Sequence, residues 1–343
     1  MKKSKKTELH ILLACGAFVL ISALAVLIHY SYTPINPYGN KDAMVIVDIP
    51  TGSSFVKVTE ILNKAGLIKS RYLFYYLALT KRAFRSIHAG EYEFSDSMTP
   101  GEVLDKLLSG DIKRYRTTIP EDLTIKEIAE RLMKDRLIVE KEFMELAYDR
   151  DFLNTLGIKA KSIEGYLFPN TYDFDRSMST RQIMKIMHSQ FLKRVTPEMV
   201  KKAKELGLVD LNQFVTFASI VGKESGNQPE KKTISAVFHN RLKKRMPLQS
   251  DPTAVYDLED FSGKIRRSHL KRKSPYNTYI VRGLPPGPIA NPGIDSLNAA
   301  LNPEQVNYLY FVSKKDGTHY FSASLDMHNQ AAKQYRDIKY KKQ

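Results

Sequence analysis

Residues 214–226 read FVTFASIVGKESG, and the rest of the chain can be read outward from them. At 3.6 residues per turn, Phe217, Ile220 and Val221 precede Glu224 by seven, four and three positions and share its helix face. Ser225, Gly226, Asn227 and Pro229 continue a helix poorly, so the pattern predicts an end at Glu224. A carboxylate on an apolar face in a last helical turn is partly desolvated and lies near carbonyl dipoles of its own sign. Both effects disfavour the charged form and raise the pKa. A carboxylic acid still protonated near neutral pH is what general-acid cleavage of a glycosidic bond requires. The competing reading is a glutamate whose head reaches solvent at a helix end, and the surroundings must decide.

The 343 residues can hold two or three domains, and 43% apolar with 26% charged residues is ordinary for a folded protein. A formal net charge of +16 is not ordinary and suits a polyanionic neighbour: nucleic acid, anionic lipid or an acidic wall polymer. Cys15 is the single cysteine, which excludes an intramolecular disulfide and a multi-cysteine metal site. Lys2, Lys3, Lys5 and Lys6 precede a run, 9–40, without Asp, Glu, Lys or Arg. Its segment 11–28 is apolar and long enough for a bilayer-spanning helix. The lysines in front, with no equal cluster behind, place the N-terminus in the cytoplasm. Ala23-Leu24-Ala25 has the form of a signal-cleavage site but lies inside the apolar run, so the reading is an uncleaved anchor. The basic remainder then lies outside the cytoplasm, which argues against nucleic acid as its partner.

Residues 33–43, rich in Pro, Gly and Asn, read as a linker. The pattern then predicts a strand at 44–49, helices at 55–65 and 70–80, and a returning strand at 88–94. A further helix carries Thr99 as N-cap, Pro100 first, Glu102 third and Gly110 at its stop. Residues 112–120 read as a connecting strand, with a helix opening at Asp122 or Leu123 and more helix, in pieces, over 140–156. Residues 164–174, EGYLFPNTYDF, read as a Tyr-rich packed loop or as a sugar-binding wall. Helices follow at 180–195, from Thr196-Pro197 to Gly207, and at 229–244. Asp210 with Gln213 suggests a capping box for the Glu224 helix. Residues 247–255 are turn-rich, and 274–293 pack five prolines and three glycines into a rigid shaped loop. A short helix at 295–301, a hairpin of 308–312 with 318–322, and a basic C-terminal helix from Met327 complete the chain.

No HExxH or HxH spacing, GxSxG elbow, P-loop or GxGxxG occurs, which removes the usual zinc hydrolase, serine hydrolase, NTPase and dehydrogenase readings. What remains is a carboxylate, amide and aromatic constellation: Glu164, Tyr166, Tyr172, Glu224, Asn240, Gln249, Ser250, Asp251, Tyr276, Asn277 and Tyr279. Polymer grooves bind sugars with such residues, through hydroxyl hydrogen bonds and stacked rings.

The segments EGYLFPNTYDF (164–174), FASIVGKESG (217–226), FHNRLKKRMPLQSDPTAVYDL (238–258) and SPYNTYIVRGLPPGPIANPGIDSLNAALNP (274–303) resemble the YceG-like family, endolytic murein transglycosylases of the MltG type. The resemblance covers essentially the whole chain. It implies an α+β protein: a cytoplasmic tail (1–8), a transmembrane anchor (9–32), the linker (33–43), a small LysM-like glycan-binding subdomain (44–112) and a mixed α+β catalytic domain (113–343) with its acid on a helix end. It implies a lytic enzyme that cleaves the β-1,4 bond between N-acetylmuramic acid and N-acetylglucosamine without water, leaving a 1,6-anhydro ring. One Glu suffices for that chemistry, and the family's second acidic residue in the Glu224 helix, which carries catalysis, aligns with Glu224. Gln249, Ser250, Asp251, Tyr276 and Asn277 become candidates for positioning the sugar or supporting Glu224, with Glu164 and Tyr172 as wall or supporting residues. No cofactor and no metal is implied. The expected partners are peptidoglycan glycan strands and the cytoplasmic membrane, with peptidoglycan synthases as candidate protein partners and no nucleic acid.

The chain departs from the family at Gly222, where a Glu is usual; a helical glycine costs roughly 1 kcal/mol relative to alanine and loosens that last turn. Two alternatives stay open. A muramidase would hydrolyse the same bond with Asp251 as its second carboxylate, and a non-catalytic glycan-binding scaffold would account for Gly222.

Overall fold

The apolar run behind the lysines forms α1 (Lys2–Tyr32). Its segment Thr7–Tyr32 has 26 residues, and its most apolar 18-residue stretch has a mean hydropathy of 2.9 and no buried residue. At 1.5 Å per residue it is about 39 Å long, enough to cross a hydrocarbon core. The structure, a computed structural model, describes residues 2–34, 36, 43–225, 228–259 and 261–340. Most of the expected linker at 33–43, together with Gly226, Asn227 and the last three residues of the expected C-terminal helix, lies outside them.

Two compact units divide the chain. Residues 1–115 with 173–178 form the first. In it β1 (Met44–Ile49) is followed by α2 (Phe55–Lys64), α3 (Arg71–Thr80), β2 (Gly90–Ser95) and α4 (Pro100–Ser109). β1 and β2 pair antiparallel, with Met44 opposite Ser95 and Ile49 opposite Gly90. Alternation turns Val47, Ile49, Tyr92 and Phe94 inward onto Val58, Leu62, Phe74, Leu77, Leu104 and Leu107, all buried. Truncating one such leucine to alanine costs about 2–5 kcal/mol. The helix ends follow the sequence signals. Thr99 and Glu102 make a reciprocal capping box, and Gly110 stops α4 in the left-handed region, φ 64°. Residues 173–178 are held here by Arg114 on Asp175 (2.7 Å) and Arg176 on Glu91 (3.0 Å).

Residues 116–172 and 179–343 form the second unit. Its elements are β3 (Tyr115–Ile119), α5 (Ile125–Lys134), α6 (Glu140–Tyr148), α7 (Arg150–Thr155), β4 (Asn170–Phe174), α8 (Thr180–Arg194), α9 (Pro197–Glu205), α10 (Leu211–Glu224), α11 (Lys231–Lys243), α12 (Asp251–Val255), α13 (Arg267–Leu270), α14 (Ile294–Leu301), β5 (Tyr310–Ser313), β6 (His319–Ser322) and α15 (Leu325–Tyr340). β3 pairs with β4, and the β5–β6 hairpin sets Phe311 opposite Phe321. The fold is mixed α+β, as expected. At its centre runs α10, buried continuously from Phe214 to Gly222 and packed by α9, α11, α12 and α14.

Four local expectations change. The helix expected to open at Asp122 or Leu123 opens at Ile125, with Thr124 as N-cap and Glu127 closing its box. Asp122 cannot be helical because its φ is +63°, and its N–H and Leu123 are bound to Asn291. The box expected of Asp210 and Gln213 is half formed: Asp210 accepts from the Gln213 N–H, but Gln213 Oε1 accepts from Val209 N at 3.2 Å. The Tyr-rich stretch 164–174 ends in β4, and the turn-rich stretch 247–255 hides α12, which begins directly after Ser250.

Candidate active site

The last turn of α10 delivers Glu224, and Ser225 leaves the helix in an extended conformation. Ser250 Oγ donates to Glu224 Oε1 at 2.6 Å, and the Asp251 backbone N–H also favours the carboxylate. Glu224 keeps part of its surface accessible while protein surrounds its carboxyl group. Burial dominates and pushes its pKa up to about 7, with the Asp251 charge adding to the rise. The Ser250 hydroxyl and the Arg241 charge oppose it. A carboxyl near pKa 7 can release a proton and take one back at neutral pH.

Ser250 is held by a loop fixed from several sides. Its own N–H donates to Thr278 Oγ1 at 3.0 Å, and the Gln249 N–H donates to the Thr278 carbonyl. Thr253 Oγ1 donates to the Ser250 carbonyl and lies 2.7 Å from Thr278 Oγ1. Gln249 adopts φ +53°, a left-handed conformation unusual for its type that turns the chain between Leu248 and Ser250. Arg241 of α11, buried at 6% exposure, secures this turn. It donates to the carbonyls of Pro247 and Leu248, to Gln249 Oε1 and to the Leu309 carbonyl, and its guanidinium lies over the Tyr310 ring. Sequence reasoning missed Arg241, Thr253 and Thr278. A buried arginine flanked by Lys243, Lys244 and Arg245 looks like one more surface charge until the fold is known.

The structure brings Glu224, Ser250 and Asp251 together. Asp251 Oδ1 accepts from the Tyr279 hydroxyl at 2.6 Å. Gln249 turns its side-chain oxygen to Arg241, and Tyr276 packs its ring on Tyr256 with centroids 4.7 Å apart. Asn277 is fully buried and donates to the carbonyls of His269, Leu270 and Arg272 while its Oδ1 accepts from Tyr279 N. Its contacts brace the loop that carries Thr278 and Tyr279. Tyr172 is buried with its hydroxyl on the Phe168 carbonyl, and Asn240 donates to the Val306 and Tyr308 carbonyls.

Glu164 forms a second buried acidic centre, 1% exposed. It accepts from the Ile125 N–H at the start of α5, from the Tyr256 hydroxyl (3.0 Å) and from Asn291 Nδ2 (2.7 Å). Burial raises its pKa to about 7 against the pull of the Ile125 N–H and the Tyr256 hydroxyl. Asn291 also accepts from the N–H groups of Gly165 and Leu167, stitching this loop to the proline-rich one. Gly165, at φ +88°, lets the backbone approach Pro288 and Val215, both within 3 Å of where a Cβ would stand.

A protein of Bacillus subtilis (strain 168) described as an endolytic murein transglycosylase is 35% identical over 314 residues, covering 87% of this chain and 86% of that one. One of Streptococcus pneumoniae serotype 2 with the same description is 30% identical over 333 residues, and the match spans 59% of its length. The crystal structure of a YceG-like protein from Listeria monocytogenes superposes with a TM-score of 0.58 at 32% identity, covering 84% of this chain and 99% of that one. The model of the YceG-like family matches residues 47–334, and the chain belongs to that family.

Proposed function

We propose that this protein is a membrane-anchored endolytic murein transglycosylase that cuts the N-acetylmuramic acid–N-acetylglucosamine β-1,4 bond of nascent glycan strands. Cutting there terminates or trims strand elongation. The observation that carries the reading is Glu224: a residue with part of its surface accessible whose carboxyl is held near pKa 7 at a helix end, with the Ser250 hydroxyl on it. The transglycosylases of B. subtilis and S. pneumoniae among its relatives support the same substrate.

In the proposed reaction the neutral Glu224 donates its proton to the glycosidic oxygen as the bond to C1 of the muramic residue breaks. The Glu224 carboxylate that forms is stabilised by the Ser250 hydroxyl and the Asp251 N–H. It then takes the proton of the C6 hydroxyl as that oxygen closes on C1, returning Glu224 to its starting state without water. Asp251 and Tyr279 set the charge around the acid; Gln249, Tyr276 and Asn277 shape the loops beside it. We assign residues 44–112 to holding the glycan strand and residues 113–343 to catalysis. α1 anchors the chain with its lysine-rich end in the cytoplasm, leaving the enzyme on the outer side.

The muramidase reading rests on Asp251, whose charge is felt at Glu224. Product mass separates the two. Peptidoglycan digested by the full chain in detergent should yield anhydro-muramic ends, one water lighter than reducing ends. Reducing ends would convert the assignment to a hydrolase; glycan binding without products would leave a scaffold.

A further inference from the structure

Gly222 and Asp122 look exchanged. Gly222 sits inside α10, where glycine is unfavourable, and Asp122 sits at φ +63°, where glycine is favoured. The two positions meet. A Cβ built on Gly222 would fall inside the Asp122 carboxyl group, whose Cγ would be 2.5 Å from it. The neighbouring residue repeats the arrangement, since a Cβ on Gly293 would fall inside the Glu121 carboxylate. Between the two carboxylates lies Lys231, 5% exposed, with its Nζ 3.3 Å from Glu121 Oε2, 4.0 Å from Asp122 Oδ2 and 3.0 Å from Ser296 Oγ. Asp122 Oδ1 is buried without a hydrogen-bond partner. Lys231 opens α11, and Glu224 closes α10. One acidic dipeptide therefore touches the helix that ends at Glu224 and the helix that follows it. Lys223 is tied to the same side by Glu127 Oε2 at 3.6 Å.

We propose that Asp122 supplies, from the loop before α5, a carboxylate that fills the space beside Gly222, and that with Glu121 and Lys231 it fixes the end of α10 so that Glu224 is aimed at the glycan. Asp122 is a positioning residue. A turn containing glycine has extra backbone freedom, and a charged group wedged against its Cα and bound to the next helix removes that freedom. The inference rests on the lytic reading for its effect on turnover, and on the Asp122–Gly222 contact alone for its effect on stability.

The test is a double-mutant cycle in the full chain, with Asp122→Asn as control. Gly222→Glu alone should lower Tm and turnover, because its side chain has no room beside Asp122. Asp122→Gly alone should lower kcat about tenfold with KM little changed. The pair Asp122→Gly with Gly222→Glu should regain both Tm and kcat to within about threefold of wild type. Asp122→Asn keeps the shape and loses the charge, so it should keep Tm and lose kcat. Additive losses in the pair, or wild-type kcat in Asp122→Asn, would overturn the proposal. Should the wild-type protein make no anhydro product, the lytic reading falls by itself. The Tm cycle then still decides the exchange: recovery in the pair supports it, additivity refutes it.

Discussion

Glu224 and Glu164 are both carboxyl groups of the second unit that burial raises to about pKa 7, yet their surroundings differ. Glu164 is closed off and accepts from the Ile125 N–H, the Tyr256 hydroxyl and the Asn291 amide. Glu224 is partly open and is met by the Ser250 hydroxyl and one backbone N–H. A raised pKa therefore does not by itself mark a catalytic acid. Glu164 sits where three chain segments must be joined, and its lone pairs are occupied in joining them. Glu224 is raised in the same direction, but its side chain keeps part of its surface accessible.

The largest expected effect breaks this symmetry outright. Glu224→Gln should reduce anhydro-product formation by about 10³-fold, within the range general acid–base groups supply, with Tm nearly unchanged. Glu164→Gln should do the reverse. Its new amide NH₂ would face groups that are themselves donors, at a cost of about 1–3 kcal/mol and a Tm lower by roughly 3–6 °C, read by calorimetry. The pH dependence of stability sharpens the contrast. Glu164 has a folded pKa near 7, above its ordinary 4.5, so folding takes up a proton between those values and its contribution to stability falls as pH rises from 4.5 to 7. Glu164→Gln should flatten that part of the Tm-against-pH curve; an unchanged slope would mean the group is ionised throughout.

Smaller effects come from the groups around Glu224. In the proposed reaction Glu224 must be protonated, so kcat should fall as pH rises through about 7. The Asp251 charge raises the Glu224 pKa, so Asp251→Asn should move this limb to lower pH while products remain anhydro-ended. Loss of all turnover in Asp251→Asn would favour a hydrolase with two carboxylates. Ser250 acts in the opposite direction by stabilising the ionised form, so Ser250→Ala should move the limb to higher pH, with a loss of rate of a fewfold at the optimum.

Much of this was legible in the chain. The α10 pattern, its stop at Glu224, the Thr99–Glu102 box and the β1 boundaries are local properties, and local sequence determines them. The desolvation of Glu224 was legible too, because Phe217, Ile220 and Val221 share its face. Arg241, Thr253 and Thr278 were not, since each has a partner many residues away, Leu309 for Arg241, Thr278 for Thr253 and Ser250 for Thr278. Asn277 read as a residue that positions the sugar or supports Glu224; its amide donates to three backbone carbonyls, contacts that only the closed loop reveals. Gly222 read as a deficit because the carboxylate filling its space comes from position 122, a hundred residues earlier.

The central claim is that Glu224, whose side chain keeps part of its surface accessible, carries a proton near neutrality. Selective ¹³C labelling of glutamate carboxyls in the full chain, followed by NMR titration with and without glycan, tests it most directly. The account predicts a resonance that titrates near pH 7, disappears in Glu224→Gln and moves when glycan is added, while the Glu164 resonance does not respond to glycan. A Glu224 resonance titrating near 4.5 and indifferent to glycan would contradict it.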